Sequence, residues 1–190
     1  PDKAGNVDWY RQTSTTRYMS HNRVRRVYTD LDGTVIVCTD HGLNIYNPQT
    51  RQMRNVIVTD RSHRYNTTWA YDIVDDGMGR YWICSYMGGV FVIAKEKLLH
   101  AANGTAIADR HVLKELQGIH VWQLVKDGKG HIWARMYDRG LDRIDSRTMH
   151  VDHVIGKDRI VNDLTTDSQG NVWAAMDGEI HCFGTTATTD

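Results

Sequence analysis

Asp127-Gly128-Lys129-Gly130-His131-Ile132-Trp133 is one of four copies of a phrase in this chain: an aspartate, two residues, a glycine, two more residues and then, in three copies, a tryptophan. The other copies run through Asp30, Gly33 and Ile36, through Asp76, Gly79 and Trp82, and through Asp167, Gly170 and Trp173. Their glycines are 46, 51 and 40 residues apart, the length of one four-stranded propeller blade. The register extends to both sides. Six residues before each glycine stand Val27, Ile73, Leu124 and Leu164, and nine before it Val24, Ala70, Val121 and Val161. Past each copy comes a second glycine (Gly42, Gly88 with Gly89, Gly140, Gly178), and then a short apolar run such as Val90-Phe91-Val92-Ile93.

The chemistry of the phrase is that of a hairpin. Asp bonds the backbone just ahead of it and Gly accepts positive φ without steric cost, so the pair makes a tight reversal between two β-rich runs. The aromatic residue three past the glycine lies on the second strand, where a large ring can wedge between neighbouring sheets. The expected fold is therefore all-β, a β-propeller fragment of about four four-stranded blades. Only Lys95 to Ala102 has helical composition.

The repeats divide the chain. Residues 1–21 form a polar N-terminal segment with a strand candidate at Trp9-Tyr10-Arg11. Blade one spans 22–60, blade two 66–113 with an insertion from Lys95 to Gly104, blade three 118–155 and blade four 159–183; the Thr-rich tail 184–190 is expected to fray. Blade four has material for three strands only. Either residues 8–13 supply its missing outer strand and close a four-bladed ring, or the piece is a partial propeller with exposed edges that invite pairing with a second copy.

With 190 residues and 41% apolar content the chain can bury a core of one-domain size. Basic and acidic residues number 23 each, which argues against nucleic acid or a membrane surface as partner. No apolar run approaches the roughly 20 residues that span a bilayer. No targeting segment is recognisable and the chain opens at Pro1, so a piece of a longer protein is expected. Cys38, Cys84 and Cys182 are widely separated and read as small hydrophobes in sheets. No Gly-x-Ser-x-Gly, P-loop or Cys-x-x-Cys occurs. His150 and His153 lack a third ligand at zinc spacing. Asp30, Asp76, Asp127 and Asp167, one per repeat at a turn, read with Gly33, Gly79, Gly130 and Gly170 as structural turn residues, and no catalytic, metal or cofactor role is expected of them.

Three stretches carry a family resemblance. Asn22 to Asp30 with Gly33 and Cys38 to Tyr46 resembles the two-component regulator propeller repeat, which fills the sensor regions of hybrid histidine kinases of gut Bacteroidetes. Trp82 to Ile93 followed by Lys97-Leu98-Leu99, and Gly130 to Trp133 running into Gly140 to Ile144, are similar to phrases of the same regions. The resemblance covers about residues 20 to 183. It implies a periplasmic module that senses glycans and signals through a membrane helix to a cytoplasmic kinase, with two seven-bladed propellers before a small β-sandwich. Two departures stand out: four blades only, and Ile36 where the tryptophan belongs. Any phosphotransfer belongs to parts outside this chain, which is expected to be non-catalytic.

Propeller geometry places a ligand site on the face opposite the Asp-x-x-Gly hairpins. Leading into the first strands are Arg25, Tyr71, Trp122 and Asn162, and two positions earlier Arg23, Trp69, His120 and Ile160; joining second strands to third are Asp40, Tyr86, Tyr137 and Asp177. Aromatic rings stack on pyranose faces, and Arg, Asp and Asn take hydroxyls or uronate groups. The candidate ligand residues are Arg25, Trp69, Tyr71, Tyr86, Trp122 and Tyr137, although Trp69 and Trp122 can equally pack between blades. The expected partners are a glycan or oligosaccharide and neighbouring blades or a second copy, without nucleic acid or direct membrane contact. Two rival readings remain: a lyase resembling the virginiamycin-inactivating type, which would need His120 or His41 with carboxylates around a metal, and a scaffold that binds protein.

Overall fold

The computed structural model describes residues 5, 7–13, 18–108 and 111–184. Among them, four sheets follow one another along the chain as the blades of a partial β-propeller. Blade one holds β1 (Val24–Thr29), β2 (Val35–Thr39), β3 (Gly42–Asn47) and β4 (Gln52–Thr59); blade two holds β5 (Ala70–Asp75), β6 (Arg80–Ser85) and β7 (Gly89–Ala94). A short helix α1 (Lys95–Leu99) leads to β8 (Thr105–Ala108) and β9 (His111–Val112). Blade three holds β10 (Val121–Lys126), β11 (His131–Met136), β12 (Leu141–Asp145) and β13 (Val151–Ile155), and blade four β14 (Val161–Thr166), β15 (Val172–Met176) and β16 (Glu179–Phe183).

Strand alternation builds the core between blades rather than inside one. Ile36, Cys38, Leu43 and Ile45 of blade one meet Ile73, Tyr81 and Ile83 of blade two. On the other side of blade two, Trp82, Cys84 and Val92 meet Leu124, Ile132 and Ala134 of blade three. Trp133 and Leu141 then meet Leu164, Val172 and Ala174 of blade four. The arc is open: Trp82 and Trp133 are 0% and 3% exposed, whereas Trp173, at the same repeat position with no further blade against it, is 40% exposed. Cys38 and Cys84 are buried in these seams, and Cys182 is exposed. No helix among the described residues is long and apolar enough to cross a membrane.

The second glycine of the first three repeats has a steric cause. A Cβ on Gly89 (φ +90°) would stand 1.7 Å from the Leu116 carbonyl oxygen, and one on Gly140 (φ +79°) 2.0 Å from that of Ile155. Only a residue without a side chain lets the outermost segment of the blade pass so close. Gly178 of blade four, which has no outer strand among the described residues, meets nothing within 4 Å.

One of the two alternatives falls away, and one expectation needs correction. The N-terminal segment does not complete blade four, which stays three-stranded among the described residues. Its described residues lie on blade one instead: Tyr10 packs edge-on against Tyr46 at 5.7 Å, and the Ser20 amide donates to Asn44 Oδ1 at 2.9 Å. Asn44 and Tyr46 lie on the side of blade one that a preceding blade would cover, and the segment covers them there. The stretch that follows the insertion also departs from blade two. β8 pairs in parallel with β4, adding a fifth strand to blade one and leaving the short β9 on the outside of blade two. Side chains on and beyond the β4 edge hold it: Arg54 donates to the carbonyls of Leu99, at 2.6 Å, and Ala101, and the Asn55 amide donates to Asn103 Oδ1 at 2.8 Å. A free sheet edge is thereby capped. The fraying expected of 184–190 concerns residues that, after Gly184, lie outside the described ones.

Candidate functional site

The two ends of the blades differ in chemistry. At the hairpin end, the repeat tryptophan reaches back to the repeat aspartate. The indole N–H donates to Oδ2 from Trp82 to Asp76 at 3.0 Å, from Trp133 to Asp127 at 3.0 Å and from Trp173 to Asp167 at 2.9 Å. The other carboxylate oxygen accepts backbone amides of the turn, as from Lys129 and His131 to Asp127 Oδ1 at 2.9 and 2.8 Å. Burial pushes the Asp76 and Asp127 carboxyls up, but the hydrogen bonds from Trp82 and Trp133, with those of the turn, outweigh it and hold both below their ordinary value. Hydrogen bonds from Trp173 and Asn171 bring Asp167 down to about 2. Blade one has Ile36 in place of the tryptophan, and blade two compensates: Tyr81 donates its hydroxyl to Asp30 Oδ2 at 2.5 Å and Lys95 its ammonium at 2.7 Å. These carboxylates are fully engaged as acceptors.

At the opposite end, each first strand carries a β-bulge at one position. Register shifts fall between Val24 and Arg26, Ala70 and Asp72, Val121 and Gln123, and Val161 and Asp163. The unpaired residues are thus Arg25, Tyr71, Trp122 and Asn162. A bulge re-aims the side chain it releases from the ladder, and each of the four meets the residue at the start of the loop between second and third strands. Arg25 donates Nε and Nη2 to Asp40 at 2.6 and 2.9 Å, and Asn162 donates Nδ2 to Asp177 at 2.8 Å. Tyr71 and Tyr86 stack at 5.7 Å, and Trp122 and Tyr137 at 4.8 Å. Polar pairs flank two aromatic ones.

The aromatic pairs merge across the seam between blades two and three. Tyr71 stacks near Trp122 at 6.2 Å, and His120 lies on Tyr86 at 4.3 Å. Trp69 extends the band beyond Tyr86 at 5.6 Å. The Arg25 guanidinium sits 4.4 Å over Tyr71 and that of Arg135 5.3 Å over Trp122. All six candidate residues are therefore brought together. The five rings among them divide into two kinds: Tyr71, Tyr86 and Trp122 are half-buried, with ring faces spent on one another, on His120 and on the arginines, whereas Trp69 and Tyr137 remain 40% and 55% exposed. Burial raises the Tyr71 hydroxyl above its ordinary value, and hydrogen bonds to Asp40 keep the Arg25 guanidinium charged.

His120 entered the sequence reading only as a metal ligand of the rival lyase, and Arg135 not at all. Arg135 has a signal: five residues past the repeat glycine the other blades carry Cys38, Cys84 and Ala175, so a lone arginine among small residues marks a local exception. It is held by Gln123 Oε1 at 3.1 Å and the Val161 carbonyl at 3.2 Å. Among the described residues no three His, Cys, Asp or Glu side chains come together to hold a metal. His150 and His153 turn to different carboxylates, Asp152 and Asp142.

The fold is that of a β-propeller, as an arc of four blades. No protein-family model and no curated protein matches the chain in sequence. Among solved structures it is similar to the extracellular domain of BT4673 from B. thetaiotaomicron, called a one component system in one structure and a hybrid two component system in another. The first shares 29% identity at a TM-score of 0.82 over 97% of this chain and 28% of that one. The second shares 28% at 0.81, over 96% and 27%. The extracellular domain of the hybrid two component system BT3049 from B. thetaiotaomicron, at 20% identity and a TM-score of 0.69 over 94% of this chain and 24% of that one, shares the fold. So does virginiamycin B lyase from Staphylococcus aureus, at 11% and 0.58 over 95% and 59%. The resemblance to the sensor regions of Bacteroides hybrid two-component systems, first drawn from the repeats, thus holds in three dimensions. The chain spans between a quarter and a third of the length of the BT4673 domain.

Proposed function

We propose that this chain is a non-catalytic, extracytoplasmic ligand-sensing segment of a two-component-type receptor, recognising a glycan or oligosaccharide on its aromatic face and signalling through parts outside the chain. The observation that carries this reading is the convergence of Trp69, Tyr71, Tyr86, Trp122 and Tyr137 from two adjacent blades into one band at bulged and loop positions. Aromatic surface with flanking arginines, carboxylates and amides suits a sugar, whose ring faces are apolar and whose rims are hydroxyls. The repeat carboxylates, which an enzyme reading would recruit, are taken up as acceptors at the other end of the blades.

The half-buried rings form the platform, and Trp69 and Tyr137 make the contacts, because they retain exposed surface. The test is an oligosaccharide array followed by titration calorimetry on the intact receptor ectodomain. Trp69→Ala and Tyr137→Ala should each weaken binding by about 1–3 kcal/mol with the thermal midpoint unchanged. Binding untouched by both variants would move the site elsewhere. Substrate turnover abolished by a chelator would replace sensing with the lyase reading.

A further inference from the structure

Next to the aromatic band, on blade two, lies a cavity of about 300 Å³ whose lining includes Arg64, Tyr65, Asn66, Trp69, Met87 and Gly88. Its lining contains one charged side chain, Arg64, and no carboxylate. The segment that presents Arg64, residues 60–69, is the longest of those leading from one blade into the next. It is strapped at its base: the Asp60 amide donates to the Tyr65 carbonyl at 3.0 Å, and the Tyr65 amide returns to Asp60 Oδ1 at 2.8 Å. Asp60, the nearest acidic residue in sequence, also accepts from Ser62 Oγ. Among the described residues Arg64 has no ion pair, and its guanidinium stands 5.4 Å from the Tyr65 ring. The other polar groups of the pocket are partly committed, Ser85 Oγ to the Asn66 carbonyl and Asn66 Oδ1 to the Thr68 amide, both at 2.9 Å.

We infer that this pocket takes a sugar unit bearing an anionic substituent, a carboxylate or a sulfate, with the pyranose against Trp69 and the anion on Arg64. The inference rests on the glycan reading above and narrows it. A guanidinium fork matches both groups in a bidentate manner. An indole face with an adjacent free cation and no competing carboxylate discriminates against neutral sugars in a way the rest of the band does not. There, Arg25 is already neutralised by Asp40, and Arg135 is held by Gln123 and Val161.

Calorimetry on the receptor ectodomain separates the possibilities, with galacturonate and glucuronate oligomers, their sulfated neutral counterparts and the unsubstituted galactose and glucose oligomers as probes. At least one anionic series should bind on the order of tenfold more tightly than its neutral counterpart. That advantage should disappear in Arg64→Gln, return in part in Arg64→Lys, and shrink as salt is raised. The uronate and sulfate arms identify which anion is preferred. Neutral oligomers that bind as tightly as both anionic series, or a preference that survives Arg64→Gln, would overturn the inference while leaving the glycan reading intact. Failure of every oligomer to bind would overturn both.

Discussion

At the hairpin ends of blades two, three and four the same atoms meet in each copy, an indole N–H on an aspartate oxygen. At the opposite ends, equivalent bulge residues meet their loop partners differently: an arginine on a carboxylate, two aromatic stacks, an amide on a carboxylate. The backbone device repeats at both ends; the side-chain chemistry repeats at only one. A repeated contact serves the scaffold, because every blade has the same need to close its hairpin and fill its seam. A varied contact on an invariant backbone frame answers no need that all blades share.

The sharpest way to break this comparison is at the buried tryptophans. Trp82→Ala removes a fully buried ring from the seam between blades two and three and should cost about 3–5 kcal/mol, read as a shift in the urea midpoint or loss of folding. A cost under 1 kcal/mol would mean that the hairpin end is not the stabilising one. Asp127→Ala strands the Trp133 indole N–H and the amide of His131 and should cost about 1–3 kcal/mol. Its counterpart at the other end, Asp177→Ala, breaks only an exposed pair with Asn162 and should cost less than about 0.5 kcal/mol.

Acid sharpens the same contrast. Asp30, Asp76, Asp127 and Asp167 titrate below their ordinary value in the folded chain, so the folded state binds fewer protons there than the unfolded state. Their stabilisation is complete above the unfolded carboxyl value, about pH 4, and is lost as the pH falls through the folded values, which reach about 2 for Asp167. Asp142 runs the other way. Burial raises it despite a hydrogen bond with His153, so its contribution is largest in acid and declines as pH rises. Blade one carries Asn44 at the equivalent β3 position, opposite Val37 as Asp142 is opposite Ala134. Asp142→Asn should therefore raise the pH 7 midpoint, by less than about 1 kcal/mol, and remove the gain in stability that Asp142 contributes as the pH falls from neutral towards about 4. A lowered midpoint at pH 7 would show that the charge of Asp142 is needed. The smallest effect is expected at the exposed rings: Trp69→Ala and Tyr137→Ala should leave stability within about 0.5 kcal/mol, and a larger loss would make them packing residues.

Much of the fold was legible because its signals are local. Asp and Gly at a fixed offset make a turn wherever they stand, and alternation along each strand tells which residues face a neighbouring blade. The six ring and arginine candidates were legible for the same reason, since repeat alignment places equivalent residues at equivalent ends. Other features had no local signal. That Tyr81 and Lys95 of the second blade serve Asp30 of the first depends on a seam between segments 51 and 65 residues apart in sequence. The pairing of β8 with β4 rather than with its own blade was invisible too, because Thr105-Ala106-Ile107-Ala108 suits any free edge.

The repeat alone therefore determined that the chain is built of propeller blades, where its hairpins fall and which end of the blades carries the aromatic residues, because turn chemistry and strand period act within a few residues. Only the tertiary structure decided which sheet takes each edge strand, how the N-terminal segment lies on blade one, and which rings stay open: Tyr71, Tyr86 and Trp122 are spent on neighbours, while Trp69 and Tyr137 are not. Those outcomes depend on distances between blades, and a ring's exposure is set by what the adjacent sheet places against it rather than by its own position in the repeat.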